Sequence, residues 1–123
     1  MEPVQISEAE SAVMEVLWLR HPLAAEDIAA VLRNERDWQD ATIKTLINRL
    51  LKKGAISATQ EGRRYLYSPA LKREAWLTQE SVSMLERLFG GRVAPLVAHF
   101  SKQRKLSKRD IAELRRIIDE MDS

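Results

Sequence analysis

At Gly54 the periodicity of the chain changes, and that change restricts the fold more than any other feature of the sequence. Before it, DATIKTLINRLLKK (40–53) places Ile43, Leu46, Ile47 and Leu50 on one side of an α-helix. After it, 55–60 and 64–68 are rich in strand-favouring residues: Ile56, Thr59, Tyr65, Leu66 and Tyr67. Glu61-Gly62-Arg63 lies between them as a tight turn, where Gly62 can take positive φ. The expected arrangement is a helix running directly into a small antiparallel hairpin.

Upstream, Ser7 to Arg20 reads as a helix with Val13, Met14, Val16 and Leu17 as its apolar stripe. Ser7 and Glu10 have capping-box spacing, and His21-Pro22 ends the helix. Ala24 to Leu32 reads as a second, shorter helix, with Ile28, Ala29, Val31 and Leu32 apolar. Glu26 and Asp27 suit the positive end of its dipole. Arg33 to Gln39 reads as a polar connection carrying Trp38. Downstream of Pro69 the pattern is helical again: Leu71 to Phe89, ended by Gly90-Gly91; Val93 to Lys102, with Pro95 in its first turn; and Ser107 to Met121. The sequence therefore predicts a mainly α fold with a small β-hairpin wing. Residues 1–70 are expected to form a winged helix-turn-helix domain and 71–123 a three-helix dimerisation domain.

The net charge of +2 conceals an uneven distribution. Residues 1–40 hold nine acids and three bases, whereas 41–73 hold eight bases and one acid, Glu61. Such a basic block is the footprint of a polyanionic partner. On the helix of 40–53, Ala41, Lys44, Thr45, Asn48, Arg49 and Lys52 share the face opposite the apolar one. Most basic helix faces are simply solvated. This one carries no acid beyond Asp40 at its start, so it lacks the i,i+4 pairs of an ordinary surface helix. Its residue types suit double-stranded DNA: Lys and Arg for phosphate or guanine, Asn for adenine, Thr for phosphate or the thymine methyl. Ala41 is small enough to let the helix start approach a groove. Arg63 and Arg64 at the hairpin tip would reach the flanking backbone. Trp18 is expected in the core, and Trp38 at the start of the third helix.

The segments ISEAESAVMEVLW, LAAEDIAAVL, WQDATIKTLINRLLKKGAI and EGRRYLYSP resemble the DNA-binding domain of the penicillinase and methicillin-resistance repressors, the BlaI/MecI/CopY family. The likeness is strong to Pro69 and looser beyond it. It implies a dimeric winged-helix repressor on a palindromic operator, linked in several members to antibiotic resistance, with Thr42, Lys44, Thr45 and Asn48 in the groove. Gln39 stands where the family often has Ser as helix N-cap; Asp40 can serve the dipole instead. In the resistance branch, release follows cleavage of an Asn-Phe bond by a membrane-bound sensor protease. The corresponding pair here is His99-Phe100; the Phe is retained and the Asn is not, which counts against cleavage there.

A segment as small as 71–123 rarely builds a stable core alone. It can pack back on the first domain or pair with a second copy. Pairing is favoured, because one reading head makes only about half the contacts that useful specificity needs. The expected dimer surface is Leu85, Leu88, Phe89, Leu96, Val97, Phe100, Ile111, Leu114 and Ile118. His99 reads as an interface residue.

Other functions fare poorly. The chain has no Cys and only two His, so thiol chemistry is excluded and the Cys-rich metal site of the copper-responsive branch cannot form. No catalytic residue, metal or cofactor is expected. The opening MEPVQISEAE carries acids where a signal peptide needs bases, and no apolar run is long enough to cross a membrane. A cytoplasmic protein without membrane insertion is expected. The alternative is a winged helix whose basic face meets an acidic protein and has no specific DNA site.

Overall fold

The structure is a computed structural model that describes residues 4–122; the first three residues of the acidic opening lie outside the described residues. Its elements are α1 (Glu8–Leu19), α2 (Ala25–Arg36), α3 (Asp40–Lys53), β1 (Ile56–Glu61), β2 (Arg64–Pro69), α4 (Arg73–Phe89), α5 (Val93–Lys102) and α6 (Lys108–Asp122). The chain divides into two compact units, Met1–Gln79 and Glu80–Ser123, with α4 running through the division.

In the first unit, α1 begins with the expected capping box. Ser7 Oγ accepts from the Glu10 amide at 3.1 Å, and Glu10 Oε1 accepts from the Ser7 amide at 2.7 Å. Two otherwise unsatisfied helix-end donors are thereby paired. Val13, Met14 and Leu17 of α1 meet Ile28 and Leu32 of α2 and Ile43, Leu46, Ile47 and Leu50 of α3 in one core. All nine are buried. Burying each aliphatic side chain contributes about 1.5–3 kcal/mol against the ordering of the chain.

One expectation needs correction. The stretch from Arg33 to Arg36 is not a connection but the last turn of α2. Apolar spacing fades after Leu32, yet Arg33 and Arg36 suit the negative end of the helix dipole. The helix stops at Asp37, which adopts the left-handed conformation (φ 56) and donates its amide to Arg33 O at 3.2 Å. Of the apolar residues Ile28, Ala29, Val31 and Leu32 of α2, Val31 is exposed and the other three are buried.

Gly54, at φ 77, ends α3 and donates its amide to Leu50 and Leu51 O. The hairpin follows at once. β1 and β2 pair antiparallel from Ile56↔Pro69 to Glu61↔Arg64, leaving Gly62-Arg63 as a two-residue loop with Gly62 at φ 65. The sequence gives no sign of how this wing is anchored. Leu23, on the α1–α2 connection, bonds to the free edge of β2: Leu23 N donates to Tyr67 O at 3.0 Å and Tyr67 N to Leu23 O at 2.7 Å. Ile56 is buried at the base, and the outer strand positions are exposed. Trp18 is half-buried against the core, donates Nε1–H to Leu71 O at 2.8 Å, and lies 5.3 Å from the Trp76 ring, centroid to centroid.

The second unit comprises the end of α4 with α5 and α6. Ser107 and Asp110 form a second reciprocal cap at the start of α6, at 3.0 and 3.3 Å. Phe89 and His99 rings lie 6.3 Å apart. No described residue from Glu80 onward is buried.

Candidate nucleic-acid interface

The amphipathic division of α3 positions the candidate site. Ile43, Leu46, Ile47 and Leu50 fix the helix to α1 and α2 by burial, which turns Ala41, Thr42, Lys44, Thr45, Asn48, Arg49 and Lys52 to the outside; all seven are exposed. None of Lys44, Arg49 and Lys52 forms an ion pair with a described residue. The one acid next to this face is partly neutralised, since Asp40 Oδ1 lies 3.6 Å from Arg33 Nε. Gln39 provides no side-chain cap, as its residue type leads one to expect. Thr45 is restricted: its hydroxyl donates to Ala41 O at 3.0 Å. With that proton engaged on the backbone, the side chain offers its methyl and its oxygen lone pairs.

Lys53, adjacent to Lys52, does not belong to this face. Its Nζ bonds Glu10 Oε1 at 2.5 Å, tying the last turn of α3 to the first turn of α1. Glu10 is fully buried and its Oε2 has no partner among the described residues. Burial pushes the carboxyl pKa up, but the bonds from Lys53 and Ser7 and the Lys53 charge outweigh it, and the pKa lies below its ordinary value. The orientation of the helix is thus set by a charged clamp as well as by the core.

On the wing, Arg63 occupies the loop and Arg64 opens β2; both are exposed and neither is in an ion pair with a described residue. Glu61 stands directly across from Arg64 in the register, so Arg63 carries the less opposed charge. Between wing and helix is a pit of about 170 Å³ lined by Ala25, Lys44, Ile47, Asn48 and Tyr67. Ala25 and Tyr67 were not legible as site residues, because neither is charged and their approach to α3 depends on the Leu23–Tyr67 pairing. Trp38 is half-buried against the core at the entrance to α3, with the Arg36 guanidinium 5.5 Å from its ring centre.

The residues expected to pair two copies all lie in or at the edge of the second unit, on three helices. Leu85 and Phe89 with Leu88 are on α4, Leu96, Val97 and Phe100 on α5, and Ile111, Leu114 and Ile118 on α6. Leu88 is 62% exposed and Ile118 55%, and none of the nine is buried. The His99–Phe100 peptide bond lies inside α5, where His99 O accepts from the Gln103 amide and Phe100 O from that of Lys105. No helix among the described residues is long and apolar enough to cross a membrane, and no group of three or more potential metal ligands occurs among them.

Comparison with known proteins gives consistent results. The penicillinase repressor family profile matches residues 6–120. The penicillinase repressor of Bacillus licheniformis is 34% identical over 116 residues, covering 94% of this chain and 91% of that one. The methicillin resistance regulatory protein MecI of Staphylococcus aureus (strain N315) is 30% identical over 115 residues, covering 94% of each. The solution structure of the DNA-binding domain of the repressor BlaI superimposes with a TM-score of 0.55 at 34% identity, over 61% of this chain and 93% of that domain. The monomeric form of Bacillus licheniformis BlaI, solved in complex with the blaP half-operator, gives 0.54 at the same identity and coverage. With the profile matching residues 6–120 and relatives of 30% and 34% identity each covering 94% of its length, this chain belongs to the penicillinase repressor family.

Proposed function

We propose that this chain is a homodimeric transcriptional repressor that reads a palindromic operator with α3 and the wing of each protomer. The observation that carries the reading is the α3 face: three unpaired cations, an Asn and two Thr on a helix whose other flank is locked into the core. Asn48 reads an adenine edge, Thr42 meets a thymine methyl or a phosphate, Thr45 turns its methyl to a thymine methyl because its hydroxyl proton is held by Ala41 O, and Lys44, Arg49 and Lys52 hold phosphates or guanine. Arg63 and Arg64 contact the backbone beside the groove. The relative solved on a half-operator supports one such head per half-site.

Pairing through 80–122 supplies the second head. The support is energetic: this unit has no buried residue in the single chain, and covering its exposed apolar residues with a second copy removes that cost. A bound dimer then has its second head at high effective concentration, and whatever separates the copies releases DNA. Proteolysis near His99-Phe100 by a membrane-bound sensor protease is one route. It requires α5 to unwind, because the bond sits within helical hydrogen bonding.

The test is binding of the purified chain to DNA next to its own gene and to a scrambled duplex. Asn48→Ala should weaken operator binding by about 1–3 kcal/mol and leave the scrambled duplex unaffected. Equal binding of both duplexes by the parent would support a protein-interaction role for the face instead.

A further inference from the structure

We propose that the pit between α3 and the wing is a seat for one sugar–phosphate step of the operator strand, and that Ala25 and Tyr67 are DNA-contacting residues. The inference rests on the reading that α3 and the wing bind DNA. A helix lying in the major groove and a hairpin reaching the adjoining backbone must straddle the strand that separates the two grooves. The structure has a depression at the place where that strand has to pass.

The lining suits such an occupant. Ala25, Ile47 and Tyr67 form an apolar and aromatic wall suited to a deoxyribose ring, and Lys44 brings a cation for the phosphate oxygens, while Asn48 borders the pit on the side of the bases it reads. The volume, about 170 Å³, corresponds to roughly six waters, which suits a fragment of backbone and is below the range of a small-molecule site. The wall is rigid where it needs to be. Tyr67 is held by two backbone hydrogen bonds to Leu23, and Ile47 is buried. The acids of the first turn of α2, Glu26 and Asp27, do not line the pit, and Asp27 Oδ2 accepts from the Ala24 amide. A backbone contact of this kind fixes register without carrying sequence information, so its loss lowers affinity equally on all duplexes.

Ala25→Leu, which fills the pit at the first helical position of α2, tests this, with thermal melting to show that the fold is retained. The expected result is roughly tenfold weaker binding to operator and scrambled duplexes alike. A variant that melts like the parent and binds both as the parent does overturns the proposal, as does a loss confined to the operator, which would make the pit a base-reading element. A second measurement stands if Ala25→Leu does not fold. Duplexes carrying one uncharged methylphosphonate at successive positions should show a roughly tenfold penalty at a single step per half-site for the parent, and none at that step for Lys44→Gln. An unchanged penalty in Lys44→Gln overturns the assignment. If the parent binds no duplex at all, the DNA-binding reading itself fails, which is a different result from either of these.

Discussion

The two units of this chain contain similar kinds of apolar residue and use them in opposite ways. In the first, Met14, Leu17, Ile28, Leu32, Ile43, Ile47 and Leu50 are almost wholly buried, and of its described large apolar residues only Leu19, Val31 and Tyr65 stand exposed. In the second, Val82, Leu88, Val93, Phe100, Ile111, Ile117, Ile118 and Met121 are all exposed to a substantial degree. Scattered exposed leucines need no explanation, but a unit made of two helices and the end of a third with no buried residue among those described does. The first unit is complete as a single copy, and its chemistry faces outward on a helix it can hold still. On the proposed reading the second is completed by another copy, and DNA contact and pairing then fall to separate parts of one short chain.

The sharpest way to break this contrast is to remove one leucine from each unit. Leu50→Ala should destabilise the first unit by about 2–5 kcal/mol at any protein concentration, by leaving a cavity in a closed core. Leu88→Ala should leave the melting temperature of dilute protein unchanged and lower it only where copies pair, so that the two losses differ in concentration dependence. Thermal melts over a dilution series distinguish them. A deeper lesion of the second unit, Leu114→Asp, should yield a monomer by sedimentation and weaken binding to the full operator by roughly a hundredfold or more. Binding to an isolated half-site should be unchanged.

A smaller effect concerns what holds the reading helix. Lys53→Met leaves the Glu10 carboxylate buried without its cation and should cost about 1–3 kcal/mol at neutral pH, the lower end reflecting the partial exposure of Lys53. The folded-state pKa of Glu10 is depressed, so its contribution is complete above the unfolded-state value and is lost as pH falls through the folded value. The gap between parent and variant should therefore close in acid, below the usual carboxylate range, as followed by denaturant unfolding at stepped pH. Smallest is Arg63→Gln. It should flatten the slope of log affinity against log salt by about one unit on every duplex, without altering base preference.

Much of the first unit was legible because its signals are local. The capping box at Ser7 and Glu10, the stripe from Ile43 to Leu50, and the period change at Gly54 each depend on residues within a turn or two of one another, and each element forms where they indicate. Where apolar residues ran out, so did the reading: α2 extends through Arg36 because charged residues propagate a helix without marking a face. The non-local features were invisible. The Leu23–Tyr67 pairing joins residues 44 positions apart, and the pit beside Lys44 and Asn48 takes Ala25 and Tyr67 into its lining from other elements. Lys53 shows the converse, a cation that composition would assign to the basic face but that is engaged by Glu10.

The most direct test of the central claim is a hydroxyl-radical footprint of the purified chain on the DNA adjoining its own gene. Two symmetric protected patches, their centres separated by about one helical turn or a multiple of it, are expected from two identical heads held together by the second unit. Protection of a single patch, or none, would contradict the account.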